Sequence, residues 1–228
     1  MVPSYAVPIT DVSAELVPAN TTVDTARPVQ LSSGGPPVLD PRTPFSVHSC
    51  PGEELSIRTS AGELEGTAFA PDDPSLDGYV LLDWAAFDQW REEDEVVTGH
   101  PHDPFHRIDV LRSSRHVVVS SDGVVLADSV RPSLLFETSL PTRYYLPPED
   151  VRWELLHPSE SHSVCAYKGV ANYWTAGLPG RDIPDIAWSY AEPLNDALNV
   201  AGMVAFFTER LDLVIDGTAI ERPVTPWS

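Results

Sequence analysis

Lysine is almost missing from this chain. Of 14 basic residues, one is a lysine, Lys168, and the others are arginines. Positive charge as a whole is scarce: 34 acidic residues leave a formal net charge of -20. Clustered Lys and Arg are what neutralise phosphates, so nucleic acid is excluded as a main partner, and an anionic membrane surface is disfavoured for the same reason. Two cysteines, Cys50 and Cys165, are too few for a disulfide framework, and a reduced, cytoplasmic protein is expected. No basic residue precedes Arg27, so no secretory signal is read at the start. The longest apolar run, Val200-Ala201-Gly202-Met203-Val204-Ala205-Phe206-Phe207, falls well short of a membrane span. Glycine-rich phosphate cradles and other cofactor motifs are absent, which points to cofactor-independent chemistry.

What is present is a chain that can fold. Hydrophobic residues make up 42% of its 228 positions, enough for a real core. The clearest local signal is a hairpin: His116-Val117-Val118-Val119, a turn at Ser120-Ser121-Asp122-Gly123, then Val124-Val125-Leu126-Ala127. Short strand candidates follow at Leu134–Glu137, Arg143–Leu146, Ser163–Ala166, Ala171–Thr175, Ala187–Tyr190, Val204–Phe207 and Leu213–Asp216. Helix is expected only in short pieces, around Leu194–Asn199 and Trp84–Trp90. The fold class is therefore mostly β.

An internal repeat shapes the domain reading. Arg27-Pro28 and Pro37 match Arg131-Pro132 and Pro141 at an offset of 104. His48-Ser49-Cys50 resembles the stretch ending at Cys165, an offset of 115, and Gly78-Tyr79-Val80 matches Gly202-Met203-Val204 at 124. The expected organisation is an N-terminal arm over 1–24, a degenerate first copy over 25–91, a linker over 92–109 and a complete second copy over 110–222. The first copy is expected to lack the Tyr144–Glu160 segment, the lysine and hence any pocket.

The second copy also carries a family pattern. Gly123-Val124-Val125-Leu126-Ala127-Asp128-Ser129, Glu137-Thr138, Thr142-Arg143-Tyr144-Tyr145-Leu146-Pro147-Pro148-Glu149-Asp150-Val151, Cys165-Ala166-Tyr167-Lys168-Gly169, Tyr173-Trp174, Ala187-Trp188-Ser189-Tyr190 and Pro193 resemble the domain-of-unknown-function 427 family. The run from Gly99-His100-Pro101 through Phe105-His106-Arg107 to His116 resembles its tandem two-copy form. The resemblance implies small, β-rich, tent-like units and supplies no established reaction. Its nucleotidyltransferase label finds no support here, since no Gly-Ser with spaced catalytic aspartates follows. The family has Pro after the cysteine where this chain has Ala166.

Lys168 is the central candidate, as general base, electrostatic clamp or amine nucleophile, against the plainer reading of a structural ion pair. For the first and third roles its neutral form must be accessible, and burial among Tyr167, Tyr173 and Trp174 is expected to lower its pKa. Cys165 is a candidate nucleophile or a small buried hydrophobe. Glu137 follows Leu134-Leu135-Phe136 and suits acid–base work near Lys168 if buried. Strand alternation puts Arg143 and Tyr145 on one face and Tyr144 on the other, with Arg143 an anion clamp or a structural partner of an acid. Tyr173, Trp174, Trp188 and Tyr190 line a pocket or fill a core. His100, His102, His106 and Asp109 read as structural rather than metal-binding, as do His48, Cys50, His162 and Cys165.

The expected function is a lyase, cyclase or hydrolase acting on a small organic substrate without a cofactor. Lys168, Glu137 and Cys165 would be its catalytic residues, and Arg143, Tyr145, Tyr167, Tyr173, Trp174 and Trp188 would bind substrate. The alternatives are a binding module that holds a small molecule or peptide through Arg143 and Lys168, and an assembly protein kept soluble by its acidic surface.

Overall fold

In the computed structural model, residues 4–19, 24–25, 29–31, 43–48 and 50–228 are described. They divide into two compact units: those within Met1–Val29 and Val38–Pro101 form the first, and those within Gln30–Pro37 and His102–Ser228 the second. Both are built mainly from antiparallel sheet with short 3-10 turns, so the chain is mostly β. Among the described residues no helix is long and apolar enough to cross a membrane.

The first unit contains β1 (Ala6–Pro8), β2 (Glu15–Pro18), β3 (Asp24–Thr25), β4 (Val47–His48), β5 (Gly52–Thr59), β6 (Gly62–Pro71), β7 (Tyr79–Leu82), β8 (Arg91–Glu92) and β9 (Glu95–Val96). Five of these form one sheet in the order β1-β7-β6-β5-β2. Ile57, Ala68, Phe69 and Val80 are buried in it. The N-terminal segment, expected as an arm, supplies two of the five strands, because Ala6–Pro8 pairs with β7 and Glu15–Pro18 with β5.

The second unit contains β10 (Ile108–Arg112), β11 (Val117–Ser121), β12 (Val124–Ser129), β13 (Ser133–Glu137), β14 (Arg143–Tyr145), β15 (Leu156–Cys165), β16 (Gly169–Leu178), β17 (Arg181–Tyr190), β18 (Val204–Phe206), β19 (Asp212–Ile215) and β20 (Thr218–Ile220). They make three sheets, β10-β13-β14, β12-β11-β19-β20 and β15-β16-β17-β18. The hairpin foreseen at Asp122-Gly123 is present, and both turn residues have positive φ, 48° and 80°, as a tight right-twisted hairpin requires. Leu146 and Val204 exchange backbone hydrogen bonds of 2.8 and 2.9 Å and so link β14 to β18. The core gathers Val117, Leu126, Leu135, Tyr145, Leu146, Ile186, Trp188 and Leu213.

Strands β15, β16 and β17 each run ten residues, about twice the length that the sequence pattern suggested. Pro158 concealed the length of β15 and Pro184 that of β17. Proline removes a ladder donor, but both prolines sit beside register shifts, where the ladder is already interrupted. The linker expected over 92–109 is also partly structured: it holds β9 and the start of β10, and from His102 onward it belongs to the second unit.

Each unit contains a ladder of the same register. Adding 119 to each position of the β5–β6 pairing gives the β16–β17 pairing. Leu55↔Ala68 becomes Trp174↔Ala187, Ile57↔Leu64 becomes Ala176↔Ile183, and Thr59↔Gly62 becomes Leu178↔Arg181. The register shift falls at the same rung in both, and so does a left-handed residue, Gly66 at φ 62° and Asp185 at φ 50°. Even the bond across the shift is repeated: Gly66 N–H donates to Ser56 Oγ at 3.2 Å, and Asp185 N–H to Thr175 Oγ1 at 3.4 Å. The next strands follow with the foreseen offset of 124, since Phe69↔Leu81 corresponds to Trp188↔Ala205. In front of the ladder, Pro18 opposite Leu55 corresponds to Pro158 opposite Trp174. Residues 5–18 therefore hold the place of 144–158, the segment expected to be missing from the first copy. The matches at Arg27-Pro28 and Pro37 lie outside the described residues, as does Ser49.

Candidate functional site

The turn between β15 and β16 is three residues long, Ala166-Tyr167-Lys168, closed by the Cys165↔Gly169 pair. Gly169 has φ 91°, which side chains rarely tolerate, and a Cβ there would stand 3.4 Å from the Glu192 carbonyl oxygen. Tight turning brings the ends together, so Cys165 lies within hydrogen-bonding reach of the Lys168 ammonium. The turn aims Lys168 inward: its side chain is 9% exposed and meets Glu137 on β13 through both carboxylate oxygens, each at 2.6 Å.

Glu137 has a second partner. His106 Nε2 lies 3.1 Å from Oε1, and its ring stacks on Tyr167 with centroids 4.1 Å apart. The opposite partner of Tyr167 is His102, stacked at 4.9 Å and bonded through Nε2 to the Ala166 carbonyl oxygen at 2.9 Å. The Tyr167 hydroxyl accepts the Asp103 N–H at 2.7 Å. A segment rich in histidine and proline is thus held against the turn by one aromatic ring. The histidine run was visible in the sequence, but its prolines argued for a structural linker. Nothing in that spacing marks His106 as an acid–base group.

Electrostatics set the protonation states. Burial opposes charge on Glu137, but the Lys168 ammonium and the His106 hydrogen bond outweigh it and lower its pKa to about 2. Burial likewise opposes charge on Lys168, yet Glu137 and Cys165 prevail and its pKa is raised. The expectation of a neutral, low-pKa lysine is therefore reversed. Desolvation was foreseen, but a carboxylate held on both oxygens was not.

Arg143 is equally engaged. It is buried on β14, with Nη1 and Nη2 at 2.8 and 2.6 Å from the two oxygens of Glu209. The rings of Trp188, Phe207 and Trp227 stand 5.4 to 5.8 Å from its Cζ. Thr225 Oγ1 donates a further bond to Glu209 at 2.7 Å. Burial raises the Glu209 pKa, but Arg143 more than offsets this and the net shift is downward.

The predicted aromatic set divides by strand face. Tyr145 and Trp188 lie together in the core, with the indole N–H donating to the Tyr145 hydroxyl at 3.1 Å. Tyr173 pairs across the ladder with Trp188 and its hydroxyl shares a 2.6 Å hydrogen bond with Ser163. Trp174, one residue on, packs edge-on against Trp153 and does not join them. Of two cavities on β13, the smaller borders Glu137, and neither is lined by His106, Lys168 or Cys165. The larger cavity, ≈ 510 Å³ and open, is walled by Leu134, Phe136 and Tyr144; the smaller, ≈ 190 Å³, by Arg107, Asp109, Phe136, Glu137 and Thr138. Phe136 faces away from the Glu137 carboxylate by strand alternation, so both open on the outer side of β13. The cluster of interacting ionisable groups is the better guide to a site. Among the described residues, no three His, Cys, Asp or Glu side chains converge as metal ligands.

Residues 109–217 match the profile of a family described as domain of unknown function (DUF427), and the second unit carries a domain of that family. The match begins just beyond His106. No curated protein matches the chain.

Proposed function

We propose that the second unit is a cofactor-independent enzyme that moves a proton on a small organic substrate, with His106 as the general acid–base group. The observation that carries this reading is the double engagement of Glu137, bonded to Lys168 on both oxygens and to His106 on one. Lys168 keeps the carboxylate ionised. Glu137 accepts the His106 Nε2–H and so fixes the tautomer in which Nδ1 is a proton acceptor. Tyr167 holds the ring plane. Lys168 serves as a charge and Glu137 as a positioning residue. Cys165 is half-buried beside the Lys168 ammonium. A binding module using Arg143 and Lys168 is less well supported, because each cation already holds a buried carboxylate. The shared ladder supports reading the chain as a duplicated unit in which the second copy keeps the chemistry.

The test is turnover of a small-molecule extract followed by mass spectrometry. Wild type is expected to consume one compound and form a product. His106→Asn should slow this ~10²-fold or more, the usual size of a general acid–base contribution. Lys168→Arg preserves charge and should retain much more activity than His106→Asn. Equal losses in the two variants would make the lysine itself the proton carrier. Saturable binding with no turnover would replace the enzyme by the binding module.

A further inference from the structure

Two sheets of the second unit turn apolar faces toward one cavity and leave them partly bare. Leu134 on β13 and Tyr144 on β14 are directly paired, and Phe136 shares the face of Leu134. Ile215 on β19 pairs with Thr218 on β20, and Leu213 with Ile220, so Ile215, Thr218 and Ile220 share a face as well. Both groups line the open cavity of ≈ 510 Å³. Phe136 and Ile220 are each 40% exposed. Large apolar side chains gathered around a concavity, rather than scattered singly, mark a binding site. The volume is that of an ordinary small-molecule pocket.

One charged pair completes the wall. Arg115 and Asp216 both line the cavity and meet at 3.0 Å. Both Asp216 oxygens are engaged: Oδ2 accepts from Arg115 Nη1, and Oδ1 from the His116 backbone N–H at 2.9 Å. Arg115 is only half used. It bonds Asp216 through Nη1 alone, so among the described residues its Nε–Nη2 edge has no protein acceptor. That edge is a two-donor fork that matches the two oxygens of a carboxylate. Burial pushes the Tyr144 phenol up and Arg115 opposes the push, so the guanidinium and an aromatic ring stand close together.

We propose that this cavity binds a small aromatic carboxylate, its ring against Phe136, Tyr144 and Ile220 and its carboxylate on the Nε–Nη2 edge of Arg115. Arg115 is the one cation among the lining residues, and the one acid there is already bonded on both oxygens. A ligand anion therefore meets an open fork, whereas a ligand cation would meet Arg115 and no uncommitted acid. A single fork suits a monoanion; a phosphate dianion would leave one charge unmatched. The Phe136 and Tyr144 rings offer faces on which an aromatic body packs offset or edge-on. The site is separate from the acid–base cluster. Neither His106 nor Lys168 lines it, and strand alternation turns Glu137 to the other face of β13. The inference does not depend on the role of His106.

The probes are benzoate, cinnamate, indole-3-carboxylate and 2-naphthoate, titrated into the full chain and followed by calorimetry and amide NMR. At least one is expected to bind saturably, about 10-fold or more tighter than its uncharged carboxamide, and to shift amides of β13, β14 and β20. Arg115→Gln should weaken that probe about 10-fold or more, the scale of hydrogen bonds to a charged group. The Arg115–Asp216 pair is exposed and adds little to stability, so this variant is expected to fold. Thr218→Trp, at an exposed position, fills the cavity and should abolish binding. His106→Asn should bind the probe like wild type. The proposal is overturned if no probe saturates, if acid and carboxamide bind alike, or if Arg115→Gln or Thr218→Trp binds as tightly as wild type. Shifts confined to residues 102–106 and 165–169 and lost in His106→Asn would put the probe in the acid–base cluster and overturn it as well.

Discussion

On one rung of the shared ladder the first unit has Phe69 and the second has Trp188; across from them stand Glu54 and Tyr173. Two rungs on, Pro71 holds the place of Tyr190. The backbone is repeated and the chemistry is not. In the first unit Glu54 meets His48 at 3.2 Å, and the imidazole stacks on Phe69 with centroids 3.6 Å apart. In the second unit the buried carboxylates come from outside the ladder, Glu137 on β13 and Glu209 after β18, and meet full cations. A sheet ladder is fixed by backbone hydrogen bonds and alternation, so it survives exchange of nearly every inward side chain. A buried ion pair requires two particular residues from distant segments, and the ladder alone does not supply them.

Several measurements would break or sharpen that contrast. The largest effect is expected at Glu137→Ala, which strands the Lys168 ammonium in the core. It should cost ~3–5 kcal/mol in denaturant unfolding, the usual penalty for breaking a buried pair. Glu137→Leu combined with Lys168→Met should cost much less than either single change, because no charge is then left uncompensated. If the double variant is as unstable as the singles, the pair is not what organises the region.

Acid should separate the units next. Burial lowers the His48 pKa below its ordinary 6.5, against the opposing pull of Glu54. The unfolded chain then binds the proton more readily, so stability is present above pH 6.5 and declines as pH falls below it. For Glu137 the depressed pKa places the loss lower, between 4.5 and about 2. Amide exchange in β5 and β6 should therefore quicken at mildly acidic pH, before exchange in β13 and β16 does. Simultaneous loss would remove the distinction. At the other end, the raised Lys168 pKa means that its contribution holds below 10.5 and is lost as pH climbs through the folded value.

The smallest effects probe the ladder itself. Gly66→Ala puts a Cβ on a left-handed residue and should cost about 1–2 kcal/mol by thermal unfolding. Asp185→Gly relieves the same conformation at the matching rung. It also gives up the 2.8 Å bond from Ser161 Oγ, so the two should nearly cancel, to within about 1 kcal/mol. A large loss at Asp185 would mean that the aspartate, not the backbone turn, is what this rung requires.

Composition and alternation were enough to determine the mostly β architecture, the Asp122-Gly123 hairpin and the separation of Arg143 and Tyr145 from Tyr144 onto opposite strand faces; the family resemblance came instead from motifs spread along the second unit. The hairpin and the strand faces depend on neighbours within a few residues. Strand lengths for β15 to β17 were not legible, because a proline next to a register shift looks the same in sequence as a proline that ends a strand. The partners of Lys168 and Arg143 were not legible either. Lys168 meets Glu137 across 31 residues and Arg143 meets Glu209 across 66. Sequence showed that Lys168 stood alone and that Glu137 was apt to be buried. Only the folded sheets could bring the two within 2.6 Å, and that approach turned an expected neutral amine into a fixed charge. Proton affinity is set by what surrounds a group in space, and chain order does not carry that information.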